Sequence, residues 1–225
     1  MTGLLPLLAR VGPLAVGAAC SPAVLLVQML VLTRGPARMA RAWLFTLGTL
    51  AMTVVWMVLG IVAFSAAHHS GPSPAARTTS GVVHLLGAGL LLALAVKNFY
   101  LPDGEVAPEK TGSDDDRPNY AKAFLLGIGI MAANVTTVVL LIPATHDVAV
   151  SRAESSAKVV ACAVVALFAV LPALLPPLLV ALGGDAGRRR LDHTAEWMHQ
   201  HQHRINAVIC VAFAVYLAAT GIGKV

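Results

Sequence analysis

Charge is scarce in this chain of 225 residues: Asp, Glu, Lys and Arg make up 12% of it, where a soluble globular domain carries about 25%. So few charged groups cannot clothe a water-facing surface, which excludes a soluble enzyme built around one large core. Aromatic residues are also few, at 5%. The three cysteines, Cys20, Cys162 and Cys210, fall in apolar runs far apart in sequence. That spacing excludes a metal knuckle or a disulfide framework and leaves buried thiols. No Ser, His and Asp cluster has motif spacing, and no glycine-rich phosphate cradle follows a strand, so the chain does not read as an enzyme and implies no cofactor. What is abundant is apolar, with 57% hydrophobic residues and a mean hydropathy of +0.77.

Six stretches lack Asp, Glu, Lys and Arg: Val11 to Thr33, Ala42 to Ala67, Thr78 to Val96, Ala123 to Thr145, Val159 to Gly184 and Ile205 to Gly223. Each is close to the length of a membrane span, about 20 residues. All eleven acidic residues lie outside them, so the usual carboxylate carrier of a proton-driven pump is missing. Unpaired backbone groups are costly in hydrocarbon and no run alternates polar with apolar residues, so the spans are helices and the fold class is all-α. The Arg10 to Cys20 opening faintly resembles a lipoprotein signal, but hydrophobicity runs on through Ser21-Pro22 to Leu32, and Val11 to Leu32 reads as a retained span.

The net charge of +5 points to an anionic membrane surface and not to nucleic acid, because the basic residues sit between apolar runs. Eleven of the sixteen lie in the first, third and fifth connections. The positive-inside rule makes those connections cytoplasmic and both termini external. Residues 101–120 hold three prolines and six acids, the composition of a disordered acidic linker. It divides a first half, 1–100, from a second, 121–225, with three spans in each. The halves then enter the membrane in opposite directions, which is the inverted-repeat arrangement of many transporters.

Proline concentrates in spans one, four and five, as Pro13, Pro22, Pro143, Pro172, Pro176 and Pro177. A helix proline frees a carbonyl one turn earlier, which is tolerated at membrane depth only beside protein or a polar cavity. Broken helices around a substrate site near the midplane are therefore expected, with a break in span five at Pro172 to Pro177. Polar side chains are few enough to name as a candidate path: Ser21 and Gln28 in span one, Thr49 in span two, His84 in span three, and Asn134 and Thr136 in span four. Thr46, Thr49 and Thr53 share a helical face, where back-bonding to their own helix competes with lining a path. Asn134 carries an amide that needs a partner or a cavity. Any proton coupling runs through His84, His146 and Asp147, or through the loops.

Residues 187–204 combine Arg188, Arg189 and Arg190 with an apolar helical face beside Trp197, as expected of a helix lying at anionic lipid headgroups. His199, His201 and His203, with His193 nearby, define the alternative: a divalent-metal efflux protein with a cytoplasmic histidine-rich loop.

The stretch Leu14-Ala-Val-Gly-Ala-Ala-Cys-Ser-Pro22, followed by Arg34, Arg38 and Arg41, resembles the opening of the glycopeptidolipid-addressing family. That family includes the sulfolipid-addressing proteins and belongs to the lysine-exporter superfamily of six-span transporters. The resemblance continues in Lys122-Ala-Phe-Leu-Leu-Gly127 to Asn134, and in Leu191-Asp192 with Trp197-Met198. It implies a multi-pass protein of the bacterial inner membrane that exports envelope glycolipids or other small amphiphiles, alone, self-associated, or beside lipid-synthesis or larger export machinery. The related thiol-electron carriers need a cysteine in span four, which has none. Where the family carries Asn-Pro in span four, this chain has Asn134-Val135, so loss of that proline break is expected.

Overall fold

In the computed structural model the described residues, 3–33, 37–68, 74–100 and 119–222, are helical apart from short joints, and no strand occurs among them. The order is α1 (Leu4–Ala19), α2 (Pro22–Thr33), α3 (Arg38–His68), α4 (Pro74–Tyr100), α5 (Tyr120–Ala133), α6 (Val135–Val150) and α7 (Ser155–Ile222). Three stretches are long and apolar enough to cross a membrane: Arg38–Ser65 of α3, and the Ser155–Gly184 and Arg204–Ile222 limbs of α7. Five are, if each bent pair, α1 with α2 and α5 with α6, is one span. The third expected span is represented by a shorter apolar segment, Gly81–Lys97 of α4.

The bundle is apolar on the outside as well as within. Leu86, Val159, Leu182 and Val208 are each about two-thirds exposed or more, a surface that lipid covers and water does not. Inside, Leu14, Leu91, Leu140, Val165 and Leu217 bring α1, α4, α6 and both limbs of α7 into one core. A second core joins Val24 of α2, Phe45 of α3 and Ala173 of α7.

Both bent pairs break where local chemistry stops a helix. At the first break, Cys20 leaves the helical region (φ −87°, ψ 66°) with its N–H on the Gly17 carbonyl. Pro22 then opens α2, at a position where its missing N–H costs nothing. The bend is 48°. At the second break there is no proline, yet the bend is larger, at 70°. Asn134 takes φ −79°, ψ 79°, puts its N–H on the Met131 carbonyl and accepts from the Thr137 N–H through its side chain, so it closes α5 and opens α6. The β-branched run from Val135 to Val139 favours a fresh start over continued helix. The expected loss of the span-four break is thus corrected: the amide of Asn134 performs what a following proline would.

The expected break in span five is corrected too. Helix α7 runs through Pro172, Pro176 and Pro177, and its non-helical residue is Gly184 (φ 51°, ψ −134°). Leucine and alanine fill the positions between the prolines and hold the helix. Residues 101–118 of the expected linker lie outside the described residues; Asn119 caps α5 by accepting from the Lys122 N–H at 2.9 Å.

Candidate functional site

Polar groups gather at three levels of the bundle. At the middle level the two breaks touch: Asn134 Nδ2 donates to Ser21 Oγ at 2.7 Å, and Asn134 Oδ1 accepts from the Thr137 N–H at 3.3 Å. Ser21 is buried and Asn134 half-buried. The two halves of the chain therefore meet through the residues that interrupt their helices. Pro22, next to Ser21 in sequence, is buried, and Thr136, the second residue of α6, stands near the Cys210 thiol. Cys20, at the same break, is exposed.

At a second level, Gln28 is fully buried and donates through Nε2 to the Ala42 carbonyl at 3.0 Å and to Thr46 Oγ1 at 3.3 Å. The Thr46 hydroxyl reaches the Ala173 carbonyl at 2.9 Å. Pro177 has no N–H to give that carbonyl, so a threonine of α3 satisfies what the proline of α7 leaves open. Among the described residues Gln28 Oε1 has no hydrogen-bond partner. Thr49 and Thr53, also buried, back-bond to the Thr46 and Thr49 carbonyls at 2.8 Å each. Pro172 and Pro176 are buried within the helix and not at a break.

The third level brings together the three residues named for proton coupling, His84, His146 and Asp147. Asp147 lies inside α6, 5% exposed, between two buried histidines. His84 Nε2 stands 3.6 Å from Asp147 Oδ2, and His146 Nδ1 stands 3.6 Å from Asp147 Oδ1. The expectation that every acid lies outside the membrane-crossing helices is corrected here: α6 continues past Thr145 to Val150, carrying the carboxylate into the core. The signal was available, because no Lys or Arg interrupts the sequence until Arg152. His84 consequently belongs to this level and not to the Ser21–Asn134 contact. No group of three His, Cys, Asp or Glu among the described residues is arranged to hold a metal ion. The side chains of Arg188, Arg189, Arg190, His193, Trp197, His199 and His203 lie outside the described residues, and His201 is half-buried. The headgroup and histidine-loop readings fall largely there.

These features define a class: a polytopic helical membrane protein in which two discontinuous helices, one from each half, meet at a polar contact inside an apolar bundle. A family model for the sulfolipid-1-addressing protein, Sap, matches residues 11–223. The chain belongs to this family, which marks it as a lipid-addressing membrane protein. No curated protein and no solved structure matches it.

Proposed function

We propose that this chain moves an amphiphilic envelope lipid across the bacterial inner membrane, as a transporter or as the membrane subunit of larger export machinery, and catalyses no covalent step. The observation that carries the reading is the Asn134 to Ser21 hydrogen bond joining two helix breaks. Irregular backbone at membrane depth is tolerated where it is buried in protein or lines a cavity, and broken helices of this kind frame substrate sites in transporters. Membership of a lipid-addressing family supports a lipid as the cargo.

On this reading α1 with α2, α3, α4, α5 with α6, and the two limbs of α7 are six spans, with both termini external. The breaks support an inverted repeat: Cys20 and Asn134 share nearly the same backbone angles and the same N–H bond to the residue three before. In the first half Cys20 ends one helix and Ser21 precedes the next; in the second Asn134 performs both tasks.

The test uses full-length protein in vesicles of phosphatidylethanolamine and phosphatidylglycerol containing a fluorescent sulfated glycolipid. Movement between leaflets is followed by quenching at the outer face. Movement that falls at least about tenfold in Asn134→Leu, a loss of transition-state stabilisation of about 1.4 kcal/mol, supports the reading. Undiminished movement in a folded variant removes Asn134 from the path.

A further inference from the structure

We propose that His84, Asp147 and His146 form a proton-binding site whose occupancy sets the position of α6 and, through it, the helix break at Asn134. An ionised carboxylate in an apolar bundle is costly unless a cation or its own proton neutralises it. Both histidines are about 2% exposed and address different oxygens of the one carboxylate. At 3.6 Å neither contact is a formed hydrogen bond, yet both lie within the range where an imidazolium and a carboxylate attract.

The protons balance simply. With Asp147 ionised and both imidazoles neutral the trio carries one negative charge. One proton, on either ring or on the carboxylate, brings it to zero. Asp147 stands between the two rings, so a proton can pass through it between α4 and α6. Among the described residues His146 Nδ1 has no hydrogen-bond partner, while the ring is held edge-on to Phe64 with centroids 4.9 Å apart.

Among the described residues the surrounding helices add these other titratable groups. From α7, Tyr216 is close enough to feel the Asp147 charge, and its hydroxyl donates to the Arg10 carbonyl at 3.4 Å. Lys158 is turned to the Ala149 carbonyl at 3.3 Å. From α1 the titratable side chain is Arg10, which is exposed. From α3 the contact is Phe64; among its described side chains the titratable ones, Arg38 and Arg41, stand at the far end. From α5 they are Tyr120 and Lys122, both exposed and at that helix's far end from Asn134.

The link to the break is mechanical. Helix α6 is continuous from Val135 to Val150, with Pro143 inside it, so Asn134 and His146 are joined by one helix and stand roughly 18 Å apart along it. A charge change that alters how one end packs against α4 turns the end that is hydrogen-bonded to Ser21. This deepens the export reading by supplying a coupling ion, and rests on that reading only for the use to which the movement is put.

The test uses full-length protein with Cys162→Ala and Cys210→Ala, leaving the exposed Cys20 beside the break as reporter, in vesicles of phosphatidylethanolamine and phosphatidylglycerol. Maleimide labelling rates are measured at about pH 5.5 and about pH 8, either side of the ordinary histidine range. Each Asp147→Asn rate is divided by the parent's rate at the same pH, which cancels the thiol's own ionisation. The ratio should differ at least about fivefold between the two pH values, the lower end of usual coupling energies; an unchanged ratio overturns the proposal. Where Asp147→Asn does not fold, His84→Gln and His146→Gln carry the same comparison with the same two outcomes. Lipid movement is assayed separately on the same vesicles. A pH-dependent ratio without lipid movement keeps the proton site and removes the export reading, whereas movement with a flat ratio does the reverse.

Discussion

Gly48 on α3 and Gly127 on α5 meet backbone to backbone, in a reciprocal arrangement. A Cβ on Gly48 would run into the Phe124 carbonyl oxygen, and a Cβ on Gly127 into the Phe45 carbonyl oxygen. Each helix thus offers the other a Phe-x-x-Gly step, and small residues of this kind let membrane helices approach closely. The contact ties α3 to the helix that leads into the Asn134 break.

Gly48→Val and Gly127→Val should each destabilise the protein by about 3 kcal/mol or more, because the obstacle is backbone and cannot rotate away. Ala substitutions should cost less, with the same sign. Thermal unfolding in detergent followed by size exclusion measures this, and a Val variant as stable as the parent would falsify the close crossing.

Ser21→Ala and Asn134→Ala should be unequal. Asn134 supplies a helix cap as well as the hydrogen bond, so its loss should cost about 1–2 kcal/mol. Losing the Ser21 hydroxyl should cost nearer 0.6 kcal/mol, the usual value for a polar contact between membrane helices. A double-mutant cycle read by unfolding in mixed micelles should return that smaller coupling; strict additivity would mean that the two side chains do not interact.

Thr46→Val strands the Ala173 carbonyl and should destabilise by about 1–3 kcal/mol. In a Pro177→Ala background the restored N–H reaches that carbonyl, so the same Thr46→Val change should cost distinctly less. Equal costs in the two backgrounds would show that threonine and proline are unrelated.

Val135→Pro should be tolerated to within about 1 kcal/mol, since proline is favoured at the first helical position and its fixed φ is already suitable. Melting temperature and labelling of Cys20 would check it. A collapse of stability would mean that the Val135 N–H carries an interaction the helix start does not require.

Much of this architecture is written in the composition. The uncharged runs locate apolar helices, and the scarcity of polar side chains makes Ser21 and Asn134 conspicuous in the sequence alone. Other features depend on pairings that no single run contains. The three prolines of α7 look like a break in isolation, and only Thr46 on another helix explains why the Ala173 carbonyl can stay buried. Asp147 is named in the sequence beside His84 and His146, but its place inside α6 is not legible there, because charge-free windows end at the first acid, whereas helices end where capping and packing end them. The reciprocal Phe-x-x-Gly steps are short enough to pass as chance until the two helices are laid together.

Gly184 interrupts α7 at φ 51°, ψ −134°, and a Cβ built there would meet nothing within 4 Å. Space therefore does not reserve this position for glycine; handedness does, because the same angles in mirror image are the relaxed extended backbone of an ordinary residue. A D-alanine introduced by chemical ligation should fit the joint with ease, where its L-enantiomer would strain it. The point at which the chain leaves the Ser155–Gly184 limb of α7 is specified by handedness, and side-chain size is immaterial there.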